Sequence, residues 1–394
     1  MTDACPDLAV VGGGVAGVAA AARAARAGAR VLLLEAGDRL GGCVHTWRPE
    51  PDFWLELGAH TAYNSYGALI ELSAAGLTPR AKVGYRFIED GQPRSPFKRL
   101  DFWQALTHLP AGLRQDKAGR RVAEYYAGLL GPRNWSRLLA PAFAAVLSQP
   151  ADDYPADWLF RRKPRVKSAP RKFTHRDGLQ AWLAAIAARP GIELRLNCRV
   201  DALTPTSDGV ELSGAGEAWS ARRAVLALPP APAGALLAPW LGRIGERLAA
   251  TPSAPCDSLA VVVEAQRVRL PPLAGLIGDA DAYYSAVSRD YLPHPRWRGF
   301  TFHFKPDRLD AAARRRRVAE VLGCRESDFA HLTEKRNALP ALTTTSVELA
   351  AELEATLAPY PVRVVGNYLN GLSLGDTAQH AVARVDAWLS KARA

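Results

Sequence analysis

Six residues near the start of the chain, Gly12-Gly13-Gly14-Val15-Ala16-Gly17, have the types and spacing to hold a diphosphate. They satisfy G-x-G-x-x-G, preceded by an apolar run from Leu8 and followed by an Ala-rich run from Val18 to Ala27. In a strand–turn–helix unit Gly12 permits the tight turn, Gly14 lets a pyrophosphate approach the backbone, and Gly17 lets helix and strand pack closely. Val15 and Ala16 open the helix, whose free N–H groups and dipole favour an anion. Gly28 suits its C-terminal cap. Val31 to Leu34 is the predicted second strand, and Glu35, with Ala36 beside it, is placed to accept from a ribose 2′-OH. The chemistry implied is dinucleotide binding.

The chain then continues Asp38-Arg39-Leu40-Gly41-Gly42-Cys43-Val44. Arg39 offers a fork of donors to phosphate, and Gly41 and Gly42 let backbone approach a second flat group of the ligand. A plain nicotinamide site needs neither. Gly12 to Gly42 resembles the N-terminal motif of the FAD-dependent amine oxidase superfamily, which includes amine oxidases, carotenoid desaturases and porphyrinogen oxidases. The resemblance implies FAD as cofactor.

Other segments fall in the same order. Val362-Arg-Val-Val-Gly-Asn-Tyr-Leu-Asn-Gly-Leu-Ser-Leu-Gly-Asp376 resembles the C-terminal FAD motif of protoporphyrinogen and coproporphyrinogen oxidases. This adds Gly366, Asn367, Gly371, Leu372 and Leu374 to the cofactor set, with Val200 from the middle of the chain. Glu56-Leu-Gly-Ala-His60 matches the family's segment under the flavin and adds Gly58, Ala59 and His60. Tyr85 to Gly91 matches an arginine-bearing hairpin, Phe173 to Gln180 a helix start, and Arg336 to Pro340 the segment before the final strand.

The resemblance implies that Arg86 meets a substrate propionate, the alternative being a surface arginine on a hairpin. His60 is the candidate catalytic group, or else a hydrogen-bonding residue of the pocket wall. Cys43 is a reactive thiol or a small buried side chain. The departures are Cys43 after the double glycine, Thr377 in place of the usual Cys, and Ala341-Leu342 after Pro340.

The elements that must position these residues follow from periodicity. The expected fold is α/β: a Rossmann-type FAD-binding domain, glutathione-reductase-like, with a substrate domain of antiparallel sheet and an inserted helical cap. The FAD-binding domain takes residues 1–78, 178–230 and 345–394, the cap 79–177, and the substrate domain 231–344. Trp103, Leu106, Leu109 and Leu113 have helix spacing, and a second helix is predicted near 121–130. Strands are predicted over 192–196, 224–228, 259–264, 282–288, 299–304 and 362–365, with helices over 178–188, 345–357 and about 375–392.

Composition bounds the rest. At 394 residues, 48% hydrophobic and 23% charged, the chain suits two globular domains. Its start lacks a signal pattern and no apolar run is long enough to span a bilayer, so a cytoplasmic enzyme is expected. Five scattered cysteines without C-x-x-C argue against a disulfide framework and a zinc site, and no metal is assigned. The net charge of +11 is concentrated in 161–176 and 314–317. The first run would attract an anionic small-molecule substrate or an anionic membrane contacted peripherally on its inner face. No nucleic-acid module is present. A monomer or homodimer is expected.

Three functions fit. The first is a flavin-dependent oxidase or dehydrogenase resembling protoporphyrinogen or coproporphyrinogen oxidase, taking hydride from a reduced, anionic cyclic substrate with O2 or a quinone as acceptor. The second is an amine or amino-acid oxidase, or a desaturase. The third is a flavin-binding scaffold or carrier without turnover.

Overall fold

The computed structural model describes residues 5–89, 92–214 and 216–391. Five parallel strands form its first sheet, in the order Ile192–Arg195, Val31–Leu34, Leu8–Val11, Ala224–Leu226 and Val362–Val364. The central strands are apolar along their whole length because both faces of the sheet are covered. Leu8, Val10, Val31 and Leu33 face the helices Val15–Arg26, Leu179–Ala187 and Leu374–Lys391. Ala9, Val11, Leu32 and Leu34 face a layer holding the helices Pro230–Leu241 and Thr344–Leu357. The α/β expectation holds, including the return of the chain's last strand and helix to the first domain.

The second sheet has seven strands, ordered Phe329–Pro340, Ser253–Glu264, Trp297–Phe304, Tyr283–Ser288, Gly275–Ile277, Tyr85–Glu89 and Gln92–Arg94. It is antiparallel except where Gly275–Ile277 pairs with Tyr85–Glu89. Alternation sorts its central strand. Phe300, Phe302 and Phe304 join the core with Leu259, Val261 and the helix residues Val318 and Leu322. Thr301 and His303, one residue out of phase, turn to the opposite face.

Several boundaries differ from the sequence expectation. The hairpin around Arg86 extends the seven-stranded sheet and is not part of the cap, since its backbone pairs with a strand nearly two hundred positions later; its Asp90 and Gly91 lie outside the described residues, as does Ala392 of the last helix. Phe329–Pro340 is a twelve-residue strand along Ser253–Glu264. Lys172–His175 joins a small sheet between Ala62–Tyr63 and Leu77–Pro79. A three-stranded antiparallel sheet, Ala202–Pro205, Val210–Gly214 and Glu217–Ala221, was not foreseen.

The cap contains helices Phe102–Gly112, Val122–Leu130 and Ala140–Leu147. Asp101 Oδ1 caps the first by accepting from Gln104 N at 3.0 Å. Fully buried Asn134 donates to the carbonyls of Asp101 and Leu130, which ties the helix to the body of the cap. Among the described residues no helix is long and apolar enough to cross a membrane, and no cluster of His, Cys, Asp and Glu could hold a metal.

Candidate active site

The glycine turn has the geometry of a diphosphate cradle. A Cβ on Gly12, at φ +105°, would meet the Ala227 carbonyl, and one on Gly17 would run into the Gly12 carbonyl. A Cβ on Gly14 would meet nothing within 4 Å. Two glycines are therefore required by packing, and the third faces open space at the N-terminus of Val15–Arg26. That helix has no side-chain cap and no acidic residue in its first turn, so the amides of Val15, Ala16 and Gly17 are available to an anion. The double-glycine loop lies alongside: Gly41 N donates to Gly13 O at 2.9 Å, and a Cβ on Gly42 would sit 3.4 Å from Gly14 Cα.

Glu35 and Arg39 frame this cradle from within. The Glu35 carboxylate accepts from Gly13 N at 2.6 Å and from Gly37 N at 2.8 Å, fixing the turn while leaving lone pairs for a further donor. The terminal nitrogens of Arg39 donate to the carbonyls of Leu40, Val44 and Gly42, so it braces the double-glycine loop. Ala36 is exposed beside Glu35, and buried Val200 follows the stretch in which Asn197 N and Cys198 N donate to the carbonyls of Gly37 and Glu35. Cys43 is half-buried, and desolvation pushes its thiol up from the ordinary range. It stays protonated at neutral pH and is not an activated nucleophile.

The C-terminal motif is held by residues from the basic run. Lys163 Nζ lies 2.6 Å from Asp376 Oδ1, and Arg161 donates to the Asn370 side chain. Asn370 in turn donates to Asp376 O at 3.3 Å, and Leu372 N donates to the Tyr154 hydroxyl at 3.0 Å. Gly371, at φ +98°, leaves only 3.2 Å between a Cβ and both Trp158 O and Tyr154 Oη. Gly366 and Asn367 form the turn after strand Val362–Val364, and Leu374 begins the final helix. The Tyr368 hydroxyl is buried with no partner among the described residues, an orphan donor inside the C-terminal motif.

Between the two motifs runs the segment Glu56–His60. A Cβ on Gly58 would strike the Cys43 carbonyl, which brings this segment against the double-glycine loop. Glu56 is buried and accepts from Leu179 N at 2.7 Å and from Thr46 Oγ1 at 2.9 Å; burial outweighs both bonds and pushes its carboxyl up to about 7. Beneath the segment the substrate sheet presents a row of polar groups. Thr301 Oγ1 donates to Glu56 O at 2.9 Å, Asn337 donates to Leu57 O at 3.0 Å and to Ser258 Oγ at 2.8 Å, and Ser258 Oγ lies 2.8 Å from His303 Nδ1.

Past Ala59, His60 Nε2 lies 3.0 Å from the Tyr85 hydroxyl. Desolvation, with Arg80 and His303 nearby, depresses the His60 imidazole to about 3, and burial raises the Tyr85 phenol to about 12. Both are neutral at physiological pH. His60 is therefore a hydrogen-bonding wall residue and a poor general base. On one side of this pair lies a cavity lined by Glu56, Arg289, Tyr291 and Thr301; on the other lies a cleft lined by Tyr63, Arg80, Lys172 and Tyr85.

Arg86 is not in this cleft. Successive strand side chains point to opposite faces, so Tyr85 toward His60 sends Arg86 away, where its Nη1 donates to Tyr85 O. The family resemblance brought the strand next to the cleft but not its phase. Arg80, His303 and Ser258 carry no local motif, Asn337 lies in the matched segment Arg336–Pro340 without having been singled out, and only the alternation of 297–304 hinted at an inward His303.

The model of the flavin containing amine oxidoreductases matches residues 15–263, more than half of the sequence. The chain belongs to this family. It is an FAD-dependent oxidoreductase, and the cradle at Gly14 and the uncapped helix fit that cofactor. Similarity to the 15-cis-phytoene desaturase of Capsicum annuum is 32% identity over 103 residues, 25% of this chain and 18% of the desaturase. The chain thus matches well under two thirds of the length of such curated relatives. A protein of Exiguobacterium sp. 255-15 provisionally described as a protoporphyrinogen oxidase superimposes with a TM-score of 0.77 at 17% identity, over 98% of both chains. Putrescine oxidase bound to putrescine superimposes at 0.73 and 16% identity, over 98% of this chain and 99% of that one. At these identities the two structures bear on the fold alone.

Proposed function

We propose that this protein dehydrogenates a reduced, anionic cyclic substrate of the porphyrinogen kind, with O2 or a quinone as the final electron acceptor. The observation that carries this reading is the cleft beside His60. It combines two positive side chains with tyrosine rings, and no carboxylate pairs with either cation among the described residues. A protonated amine would bring further positive charge to these groups, which disfavours the amine oxidase alternative. A long neutral polyene would gain nothing from them.

FAD supplies the two-electron sink. The chain's own groups then orient and enclose. Val15, Ala16 and Gly17 offer backbone amides to the diphosphate, and the N-terminus of Leu374–Lys391 offers its dipole at the other end of the cofactor site. The neutral His60–Tyr85 pair forms a hydrogen-bonding wall, and the Ser258–His303–Asn337 row keeps the Glu56–His60 segment in place. Anaerobic mixing of the yellow protein with coproporphyrinogen, protoporphyrinogen and a set of amines tests the reading. Bleaching by a porphyrinogen is expected; bleaching by amines alone overturns it.

A peripheral attachment to the inner face of an anionic membrane is part of the same proposal. Phe97, Phe102, Trp103, Leu106 and Leu113 are 51–83% exposed on one short stretch of the cap, while exposed Lys98 and Arg114 adjoin it in sequence. Apolar side chains flanked by basic ones suit the boundary between acyl chains and anionic headgroups.

A further inference from the structure

We propose that Arg80 and Lys172, with Tyr63 and Tyr85, form the carboxylate-recognition site of the substrate cleft, the role that the family resemblance implies for Arg86. The inference rests on the reading of an anionic substrate and names the groups that would select it. Its basis is the register of the small sheet. Tyr63 lies directly opposite Lys172, Pro79 lies opposite Phe173, and Arg80 N continues that ladder by donating to Lys172 O at 3.3 Å. Directly opposed residues share a face, so Tyr63, Lys172 and Arg80 form one cross-strand row drawn from three distant parts of the chain.

All three line a small cleft, open at its mouth, with Thr61, Val83 and Tyr85 also in its wall. Tyr85 links the row to His60 through their 3.0 Å contact. The Arg80 guanidinium is stacked 3.6 Å over the Tyr291 ring, which holds the fork in one orientation and leaves its edge for a planar acceptor. A guanidinium so fixed can grip a carboxylate through two parallel bonds, and Lys172 adds a mobile point charge at the rim. The tyrosine rings favour a flat group between them. Buried Arg289 is stacked on Phe53 and Trp54, donates to Leu292 O at 2.6 Å and lines the cavity beside Glu56, so it is not part of the row.

The experiment is calorimetric titration of the FAD-loaded protein with benzoate and with benzamide, which share size and ring but not charge. Wild type should bind benzoate at least tenfold more tightly than benzamide. R80M, which keeps an apolar stem but removes the guanidinium, should weaken benzoate roughly 10–100-fold and leave benzamide unchanged, the scale of a charge-assisted pair. K172M should cost a few-fold, and R86A nothing. FAD content and melting temperature, read on each variant, should match wild type. Equal affinity for the two probes, no saturable binding of benzoate, or undiminished binding by R80M overturns the site. Selective benzoate binding in a protein that oxidises no porphyrinogen leaves the cleft standing and removes the oxidase reading. Porphyrinogen oxidation with benzoate affinity indifferent to R80M and K172M does the reverse.

Discussion

Lys163 Nζ sits 2.6 Å from Asp376 Oδ1, joining the basic loop to the first turn of the final helix. The basic run is thus sorted by tertiary structure. Arg161 and Lys163 hold the C-terminal motif, Lys172 lines the rim of the cleft beside His60 while exposed to solvent, and Arg162, Arg165 and Lys167 are exposed.

Breaking that pair should affect both stability and cofactor retention. The Asp376 side chain is only 9% exposed, and K163M would leave it with the helix dipole alone. Because Lys163 keeps some contact with solvent, the expected loss is about 1–3 kcal/mol, below that of a fully buried pair. Adding D376N should recover most of it, since neither charge is then stranded. Thermal unfolding of the four proteins in a double-mutant cycle measures the coupling; additive effects would show that the contact contributes nothing.

The glycine turn separates folding from binding. Gly14 has open space where a Cβ would go and a φ of −72°, so G14V should fold, melt close to the FAD-free wild type and purify without colour. G17A should instead fail at the folding step, because its methyl would collide with the Gly12 carbonyl. Absorbance of the bound flavin alongside circular dichroism distinguishes the two. A yellow G14V protein would contradict the cradle.

Acid should destabilise the protein through its buried histidines. His303 and His380 are held at about 4 and His60 at about 3 by burial, so the folded state resists their protonation and the unfolded state does not. Their contribution is intact above the unfolded value of about 6.5 and is lost as pH falls toward the folded values. Glu56 works in the opposite sense. Its carboxyl, raised to about 7, favours the folded state below about pH 4.5 and loses that contribution as pH rises through 7. E56Q should therefore steepen the loss of stability between pH 7 and pH 5 by about 2 kcal/mol. Urea midpoints at the two pH values provide the check, and an unchanged slope would count against a neutralised Glu56.

The exposed face of the cap gives a membrane prediction. Trp103 and Leu106 are 74% and 51% exposed, and the helix is anchored through Gln104, whose Oε1 accepts from Arg133 N at 2.9 Å and Asn134 N at 3.1 Å. W103S/L106S should fold as wild type yet lose most binding to phosphatidylglycerol vesicles in co-sedimentation. Binding of wild type should also weaken with salt, as exposed charges are screened over about 10 Å at 0.1 M. Equal sedimentation of the variant would assign attachment to charge alone.

Local sequence determined the parts of this protein that are built from neighbours in the chain. Strand Leu8–Val11, the glycine turn, helix Val15–Arg26 and Glu35 form one continuous unit, so each role was legible from residue type and spacing. The C-terminal motif was legible for the same reason. Tertiary structure decided whatever depends on strand phase and register. A one-residue offset turns Arg86 away from the cleft and Tyr85 into it. The ladder that aligns Tyr63, Lys172 and Arg80 exists only once three separate segments pair, and His303 is linked to Asn337 through Ser258 only when three strands lie side by side. The glycine turn is backbone geometry that a short motif can encode, whereas the cleft beside His60 is lined by side chains that become neighbours only through long-range pairing.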